Sequence, residues 1–409
     1  MQTDYDAIII GAGPAGSTAA ILLAQAGWSV AVLEKQRYPR RKVCGECIAA
    51  SNLPLLDALG IGDAFAALAG PQLQRVALWC GREAVSAALP TATVAGHPWG
   101  RALAREHLDT LLLQRARALG ACVLQPCNAR SLTGSPGDLR CDVTSGDGQA
   151  LRLRAPVIIG AHGSWEPLPA ERAIRRRPRH ASDLLAFKAN FRNVRLDEGL
   201  LPVLSFAGGY GGIVLAGDGV ATIACCMRAD RLHACRAASR NAPAGAAVEA
   251  HLRRECAPVE QALAEASPAG AWLAAGPIRP GVRPHSSGNG AFLIGNAAGE
   301  AHPIVGEGIS MAIQSAWLLC AQLVHQPDVL LRDTRGAQLQ CRIQQRYAAL
   351  WRAHFAARVR LAACFAHLAM HPQAVASLLP LLRRAPALLT HSARWSGKIR
   401  CAPGLERKS

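Results

Sequence analysis

The sequence has few aromatic residues, and they do not accompany its basic runs in a repeating pattern. Phe, Trp and Tyr make up 5% of the 409 residues, whereas Lys and Arg outnumber Asp and Glu by 45 to 28. The basic run at 172–179 (RAIRRRPR) contains no aromatic residue, and the run at 37–42 (RYPRRK) contains one. A binder of single-stranded nucleic acid needs aromatic side chains on which bases stack, and no nucleic-acid motif is present. We therefore predict no nucleic-acid partner and interpret the net charge of +17 as an arginine-rich solvated surface.

The sequence also lacks the repeated cysteine pairs of a zinc site. Among fourteen cysteines, only Cys44 and Cys47 form a Cys-x-x-Cys motif, and no second pair follows at a ligand spacing. Most of the other cysteines stand in apolar runs, where they serve as small hydrophobic residues. We predict no metal site, and a redox-active Cys44–Cys47 pair is a less favoured alternative.

No hydrophobic run has the length of a membrane-spanning helix. The longest run, 308–324, is interrupted by serines and glutamines and predicts a buried helix instead. The first six residues, MQTDYD, include two acids and lead directly into a strand. No signal or transit peptide is therefore expected, and the predicted location is cytoplasmic.

The most informative feature that is present is a strand, a glycine-rich turn and a helix near the start of the chain. The apolar run Ala7–Ile10 predicts a buried parallel strand, and Gly11, Gly13 and Gly16 follow it as Gly-x-Gly-x-x-Gly. Gly11 permits the tight turn, Gly13 lets a pyrophosphate approach the backbone, and Gly16 lets the helix pack on the strand. The helix predicted at Pro14–Gln25 then directs its N-terminal N–H groups at the phosphates.

An acid at the end of the second predicted strand narrows the choice of dinucleotide. Glu34 follows the strand at 29–33 and lies 18 residues beyond Gly16. An acid near this offset hydrogen-bonds a ribose hydroxyl and disfavours a 2′-phosphate, so the ligand is FAD or NAD rather than NADP. The residues predicted to bind this half of the dinucleotide are Gly11, Gly13, Pro14, Ala15, Gly16, Glu34 and Lys35.

A second glycine-rich segment, 290–316, predicts a cradle for the other half of the ligand. Small residues after a strand at 291–294 let a planar ring lie against the backbone, and Asn296 can hydrogen-bond a polyol. The helix that opens near Ile309 directs N–H groups at an electron-rich ring edge. FAD needs this second cradle and NAD does not, so FAD is the predicted cofactor. The binding residues predicted here are Gly295, Asn296, Pro303, Gly306, Gly308 and Ile309.

These two segments together resemble a superfamily of FAD-dependent oxidoreductases. It includes the geranylgeranyl reductases and the para-hydroxybenzoate-hydroxylase-like enzymes, the class A flavoprotein monooxygenases. The spacing from Gly295 through Pro303 to Gly308 is similar to the superfamily motif GDAAG-x-x-x-P-x-x-G-x-G-I. The resemblance extends over about residues 5–325, with its specificity concentrated in the two glycine motifs.

Two shorter matches extend the resemblance to further positions. The segment RKVCGE at 41–46 is similar to the K-x-C-G segment of the reductase branch. Arg105, which opens a predicted helix, is similar to the family arginine that approaches the flavin pyrophosphate and ribityl chain. The resemblance therefore implies that Cys44, Gly45 and Arg105 also contact FAD.

Two positions depart from the superfamily pattern. Asn296 stands where the third motif has an aspartate, which keeps a hydrogen-bonding side chain but loses a charge. His162, in GAHG, stands where the middle motif has an aspartate that helps to organise reduction by NAD(P)H. The direct electron donor is therefore left open between NAD(P)H and an electron-donor protein.

The order of the predicted elements implies an α/β fold with a discontinuous Rossmann-like FAD-binding domain. A mostly antiparallel β-sheet substrate domain is inserted into it, and a helical region ends the chain. We expect the reactive ring at the interface between the two domains. The FAD-binding domain is predicted at 1–72, 101–180 and 281–328, substrate-domain strands at 73–100, the substrate-binding sheet at 181–280, and the helical region at 329–409.

The predicted activity is that of a flavin-dependent enzyme acting on a hydrophobic small molecule of isoprenoid or polyketide type. Reduction or dehydrogenation by hydride transfer is favoured. The alternatives are an aromatic monooxygenase and a non-redox FAD-binding protein. The usual reductase substrate motif and the Trp-x-Trp-x-Ile-Pro segment of halogenases are both missing.

Cys44 and His302 are the candidate catalytic residues. A thiol near basic residues such as Lys42 can tune the flavin or deliver a proton, and His302 beside Pro303 is a candidate acid or base. The competing interpretations are that Cys44 fits a tight loop and that His302 is structural. The segment FAGGYGGIV around Tyr210 predicts a pocket wall, a close backbone crossing or a tight turn.

The segment 361–389 combines apolar runs with a basic margin that extends to Lys398. A helix of this kind can lie on the inner face of an anionic membrane, which would suit an enzyme that collects a lipophilic substrate. The competing prediction is that these helices pack on the flavin and substrate domains. It is favoured because Pro372, Pro380 and Pro386 are expected to break the region into short pieces.

Overall fold

The strand that precedes the first glycine motif lies at the centre of a five-stranded parallel sheet. The computed structural model describes residues 3–92, 96–164, 168 and 179–395. The central strand pairs on one side with a strand 23 residues later, with Ala7 opposite Val30, and on the other with one much later in the chain, with Ala7 opposite Val157. Its apolar side chains are buried, as expected for a parallel strand covered on both faces. In sheet order the strands are Phe292–Leu293, Val157–Gly160, Ala7–Ile10, Val30–Leu33 and Cys122–Leu124.

Helices cover this parallel sheet. The helix after the glycine turn, Pro14–Gln25, has the predicted bounds, and it packs between the helices Arg105–Ala118 and Gly308–Leu323. Its many small residues allow this close packing, and nine of its side chains are buried. Two shorter helices, Leu53–Ala58 and Gly62–Leu68, complete this part of the molecule.

A large, mostly antiparallel sheet stands against the parallel sheet and its helices. One pair in it, Arg75–Cys80 with Leu200–Phe206, is parallel. One face packs against helices and carries a core that includes Phe187 and Phe206. Because side chains alternate along a strand, Ala186 and Tyr210 lie on the opposite face, which borders a cavity. In order the strands are Ser267–Pro268, Leu184–Arg192, Ala221–Arg228, Gly209–Leu215, Leu200–Phe206, Arg75–Cys80 and Glu83–Ala88, with Leu273–Ile278 also paired to Leu184–Arg192, and the covering helices are Ala229–Ala238, Ala244–Glu255 and Ala257–Ala262.

Smaller sheets join these parts. A three-stranded antiparallel sheet of Cys127–Ser135, Asp138–Ser145 and Ala150–Ala155 follows the parallel sheet's edge strand. Cys47–Ile48 pairs with Arg101–Ala102, and Gly281–Val282 pairs with Gly299–Glu300. The predicted fold class, a Rossmann-like part with an inserted antiparallel sheet and a helical end, is confirmed.

Three consecutive helices, Thr334–Ala369, Pro372–Arg384 and Ala387–Trp395, form the C-terminal region. The 36-residue first helix is capped by Asp333, whose side chain accepts a hydrogen bond from the Gly336 N–H. The prediction that Pro380 breaks the region is wrong, because it lies inside the second helix. Val375 and Leu379 are buried on that helix, and their packing offsets the backbone hydrogen bond that proline cannot make. Within the described residues, no helix combines the length and apolarity needed to cross a membrane.

Candidate active site

The glycine turn after the central strand leaves room for a ligand at one point only. Gly11 has φ +104°, and a Cβ there would lie 2.5 Å from the carbonyl oxygen of Ala161. A Cβ at Gly16 would overlap the Gly11 carbonyl, so both glycines serve the fold of the turn. At Gly13 the nearest atom to a Cβ would be Arg105 Nη2, at 3.8 Å. Gly13 therefore presents open backbone at a helix N-terminus, where phosphate is favoured.

Glu34 is held at the rim of a cavity of about 300 Å³ beside this turn. Its buried carboxylate accepts hydrogen bonds from the backbone N–H groups of Ala12 and Gln36, each at 3.0 Å. Arg40 lies 3.7 Å away. Lys35 and His162 line the same cavity. An adenosine half of a dinucleotide fits this cavity, because its acid stands where a ribose hydroxyl would bind.

Cationic side chains lie where this cavity meets a second, larger one. Lys42 borders both cavities with Gly13. Burial and the neighbouring Arg105 and Arg40 lower the pKa of Lys42 to about 8. Arg105 is buried and donates two hydrogen bonds of 2.7 Å to Asp109, which holds its guanidinium group in place. This cluster fits a diphosphate, whose negative charge would relieve the repulsion among the cations.

The larger cavity, of about 460 Å³, brings most of the predicted binding residues together. Residues from the two glycine-rich segments and from the RKVCGE loop face each other across it. Gly11, Glu34 and Lys35 line the smaller cavity, and Gly16 is a packing residue of the turn. The predicted residues that line the larger cavity are Gly13, Pro14, Ala15, Cys44, Gly45, Arg105, Gly295, Asn296, Pro303, Gly306, Gly308 and Ile309.

The departure at Asn296 has a local explanation. The Asn296 amide nitrogen donates to Ser164 Oγ at 3.0 Å and lies 3.3 Å from Glu300 Oε1. Glu300 in turn accepts from Arg283 at 2.9 Å and from Ser164. A carboxylate at position 296 would therefore stand against a second carboxylate, whereas the amide donates to it. A carboxylate, that of Glu300, is thus present beside position 296.

The Cys-Gly-Glu loop is fixed by a buried ion pair that the sequence analysis did not identify. Glu46 has φ +61° and is fully buried. Its carboxylate accepts from the Arg105 backbone N–H at 2.9 Å, from Thr222 at 2.5 Å and from the Lys188 ammonium group. Lys188 stands between apolar residues in the strand Leu184–Arg192, and a lysine at that point was the signal in the sequence. The pair joins the loop to both the helix Arg105–Ala118 and the large sheet.

Cys44 lies in this loop and lines the larger cavity. Its sulfur accepts a hydrogen bond from the Glu46 N–H at 3.3 Å. Cys47 is buried in the short strand that follows, and both cysteines are free thiols. The candidate role of Cys44 stays a prediction.

His302 lies behind a tyrosine that lines the larger cavity. The Tyr210 hydroxyl and His302 Nδ1 are 3.0 Å apart, and both side chains are buried. Burial raises the pKa of Tyr210 well above its usual value. Burial and the neighbouring His367 lower the pKa of His302 to about 4. At neutral pH both groups are therefore uncharged, and the phenol keeps its proton.

The rest of the larger cavity is apolar. On one side it is lined by the large sheet, and on the other by the C-terminal helices. The apolar residues that line this part are Val76, Leu78, Leu201, Val203, Val214, Phe365, Leu368, Leu378, Leu382 and Leu389. A hydrophobic molecule fits between the glycine loops and these helices. Most of the basic run at 172–179, as well as Lys398, lies outside the described residues.

Comparison with known proteins agrees with this geometry. A family model described as FAD binding domain matches residues 4–339. The chain is 29% identical over 163 residues to menaquinone reductase of Mycobacterium tuberculosis, a match that spans 40% of this chain and 38% of that protein. It is 25% identical over 358 residues to digeranylgeranylglycerophospholipid reductase 2 of Methanopyrus kandleri, which spans 84% of this chain and 82% of that protein.

The fold also occurs in a solved structure of a different kind of enzyme. The flavin-dependent brominase Bmp2 aligns with a TM-score of 0.76 and 17% identity, covering 98% of this chain and 95% of that one. At this identity the likeness shows the fold alone. The resemblance stated from the sequence is confirmed at the level of the superfamily.

Proposed function

The chain belongs to the FAD-binding-domain family and is an FAD-dependent oxidoreductase, and from this premise we propose that it reduces an unsaturated hydrophobic small molecule. The substrate class is isoprenoid- or polyketide-like. The observation that carries the proposal is the larger cavity, in which the glycine loops are continuous with an apolar space lined by the sheet and the C-terminal helices. The names of the two reductases similar to this chain support the same class.

The residues around the two cavities fit FAD. Glu34 would bind the ribose, and Lys42 and Arg105 beside Gly13 would bind the diphosphate. The loops at 44–45 and 303–309, which line the larger cavity, would hold the ring. When bound and reduced, FAD supplies a hydride, and two electrons and a proton from a reduced nicotinamide or an electron-donor protein restore it.

Tyr210 supplies the proton that accompanies the hydride. The reduction of a double bond adds one hydride and one proton to the substrate, so a proton donor must face the cavity. The Tyr210 hydroxyl meets that need, and its contact with His302 Nδ1 at 3.0 Å orients it. The apolar lining excludes water, which keeps the hydride from being lost to solvent.

The test is to identify the product formed by purified, flavin-loaded protein. The protein is reduced without oxygen and mixed with a menaquinone bearing an unsaturated side chain or with a geranylgeranyl ether lipid. We expect a product heavier by two hydrogen atoms, detected by mass spectrometry. A product heavier by one oxygen atom, formed only when oxygen is admitted, would instead favour hydroxylation. The fold is shared with enzymes of other chemistry, so the product mass decides between the two reactions.

A further inference from the structure

The last three helices expose a group of large apolar side chains. Most of the exposed large hydrophobic residues in the described part of the chain lie at the end of the 36-residue helix or on the two helices after it. We call this group the apolar patch. Its members and their exposed fractions are Leu368 (39%), Leu378 (38%), Leu381 (53%), Leu388 (40%) and Trp395 (65%).

The same helices carry charge of one sign. Residues 334–395 contain nine arginines and neither aspartate nor glutamate. Arg384 and Arg394 are exposed beside the apolar patch, and Arg360 is exposed on the 36-residue helix. Arg383 is also exposed and bonds to Glu83 of the neighbouring strand. The patch is therefore bordered by arginines. The acid that pairs with one of them, Glu83, lies on the strand Glu83–Ala88.

The apolar patch borders the opening of the larger cavity. Leu368 and Leu378 are partly exposed and also line that cavity. Leu382 and Leu389, on the same two helices as the rest of the patch, face further into it. A molecule that enters the cavity at this end passes the patch.

We propose that the apolar patch and its arginines dock the protein on an anionic lipid bilayer, with the cavity opening toward the acyl chains. Leucines and tryptophan buried at the interface lose contact with water, while arginines meet the phosphate headgroups. A second copy of this chain is a poor occupant, because it would bring the exposed Arg384 and Arg394 of one copy against the same arginines of the other. Docking does not depend on the proposed reaction. Vesicle binding tests the docking, and the product mass tests the reaction.

The experiment is sedimentation of the flavin-loaded protein with large vesicles. Vesicles of phosphatidylglycerol and phosphatidylcholine are compared with vesicles of phosphatidylcholine alone, at low and high salt. We expect binding to the anionic vesicles that weakens as salt rises. The variant Leu381→Ser/Leu388→Ser should bind at least tenfold more weakly. Arg384→Gln/Arg394→Gln should lose roughly 25-fold, at about fivefold for each arginine.

Matched controls separate this surface from the general basic charge of the protein. Leu68→Ser removes an exposed leucine elsewhere, and Arg130→Gln/Arg240→Gln removes two exposed arginines elsewhere. Both should bind as the wild type does. The proposal is overturned if the wild type stays in the supernatant with anionic vesicles at low salt. It is equally overturned if the control pair weakens binding as much as Arg384→Gln/Arg394→Gln, or if sedimentation velocity shows a dimer that Leu381→Ser/Leu388→Ser dissociates.

Discussion

A single phenol connects the cavity to a buried histidine. Tyr210 lines the cavity and is 1% exposed, and its hydroxyl lies 3.0 Å from His302 Nδ1. The flanking glycines let neighbouring groups approach closely: a Cβ at Gly211 would lie 2.7 Å from Cys225 Cβ. The segment FAGGYGGIV contains a turn at 207–208 and continues as a wall of the cavity.

Removal of this hydroxyl should slow the reaction without loss of the cofactor. Tyr210→Phe keeps the ring and removes the proton, so we expect the single-turnover rate to fall by about 10²-fold or more with an unchanged flavin content. His302→Gln should give a smaller loss. Tyr347→Phe, at another fully buried tyrosine, is the control and should leave the rate unchanged. Equal rates for Tyr210→Phe and the wild type would remove Tyr210 as the proton donor.

The carboxylate of Glu300 leads to a prediction for the neighbouring position 296. Asn296→Asp restores the superfamily aspartate and should weaken FAD retention. The side-chain nitrogen of Asn296 lies 3.3 Å from Glu300 Oε1, so an aspartate there would place two carboxylates side by side. In Asn296→Asp/Glu300→Gln the charge is moved rather than doubled, and retention should recover. The flavin-to-protein ratio after gel filtration measures both. Tighter FAD binding in the single variant would show that Glu300 does not replace the motif aspartate.

Residues of the local motifs were predictable, and residues brought in by the large sheet were not. The spacing of Gly11 to Gly16 is fixed by the geometry of one turn, so it can be recognised in the sequence. Lys188 and Tyr210 reach the site only because distant strands pair in one register. No local pattern in the sequence shows that register, although a lysine between Phe187 and Ala189 and a tyrosine among glycines were visible.

At the scale of elements, the Glu46–Lys188 pair joins a loop, a helix and a strand. Glu46 is held in a left-handed backbone conformation, φ +61°, while its carboxylate bonds the first N–H of the helix Arg105–Ala118 and the strand Leu184–Arg192. Both charges are fully desolvated. The loop that carries Cys44 and Gly45 is therefore positioned by the sheet as well as by its own sequence.

Removal of only one charge of the Glu46–Lys188 pair should destabilise the folded protein. Lys188→Met leaves a buried carboxylate without its cation and should lower the free energy of unfolding by about 3–5 kcal/mol. Glu46→Gln/Lys188→Met removes both charges and should recover most of that loss. Arg195→Met, in an exposed pair with Glu265, should cost about 0–1 kcal/mol. Urea unfolding of the three variants measures this order, and a Lys188→Met value as small as that of Arg195→Met would contradict it.

Helices and strands were predicted most accurately where their apolar residues recur at regular spacing. The helices at 14–25 and 105–118 have small or apolar residues at helical spacing, and their bounds were predicted to within a residue. The three-stranded sheet at 127–155 was not separated from the nucleotide-binding part, because its strands follow the edge strand of the parallel sheet directly and alternate apolar with polar residues. The break predicted at Pro380 was wrong because tertiary packing stabilises a helix that the proline disfavours locally.

For the molecule as a whole, buried histidines make stability sensitive to acid. Burial lowers the pKa of both His285 and His302 to about 4, with Arg352 and His367 as the respective secondary causes. The unfolded chain therefore binds more protons than the folded chain between about pH 4 and the usual histidine value of about 6.5. Stability should be complete above about pH 6.5 and should decline as the pH falls toward 4.

This dependence is measurable on the purified protein. The free energy of unfolding in urea should drop between pH 7 and pH 5, by about 1–2 kcal/mol for each histidine. His302→Gln should flatten part of the slope, whereas a substitution at the exposed His233 should not. A free energy of unfolding that does not change over this range would show that the two rings are charged in the folded state.

The strand order of the parallel sheet also sets when the protein can finish folding during synthesis. The strand Ala7–Ile10 needs Val157–Gly160 as its neighbour, and that strand needs Phe292–Leu293. At about 5–20 residues per second, the ribosome takes about 15–60 s to pass from the first of these strands to the last. The large sheet, contained within residues 75–278, is complete earlier. The strand Ala7–Ile10 therefore keeps an open edge until Val157–Gly160 is made, and that strand keeps one until Phe292–Leu293 follows, which leaves these edges for a chaperone to cover during synthesis.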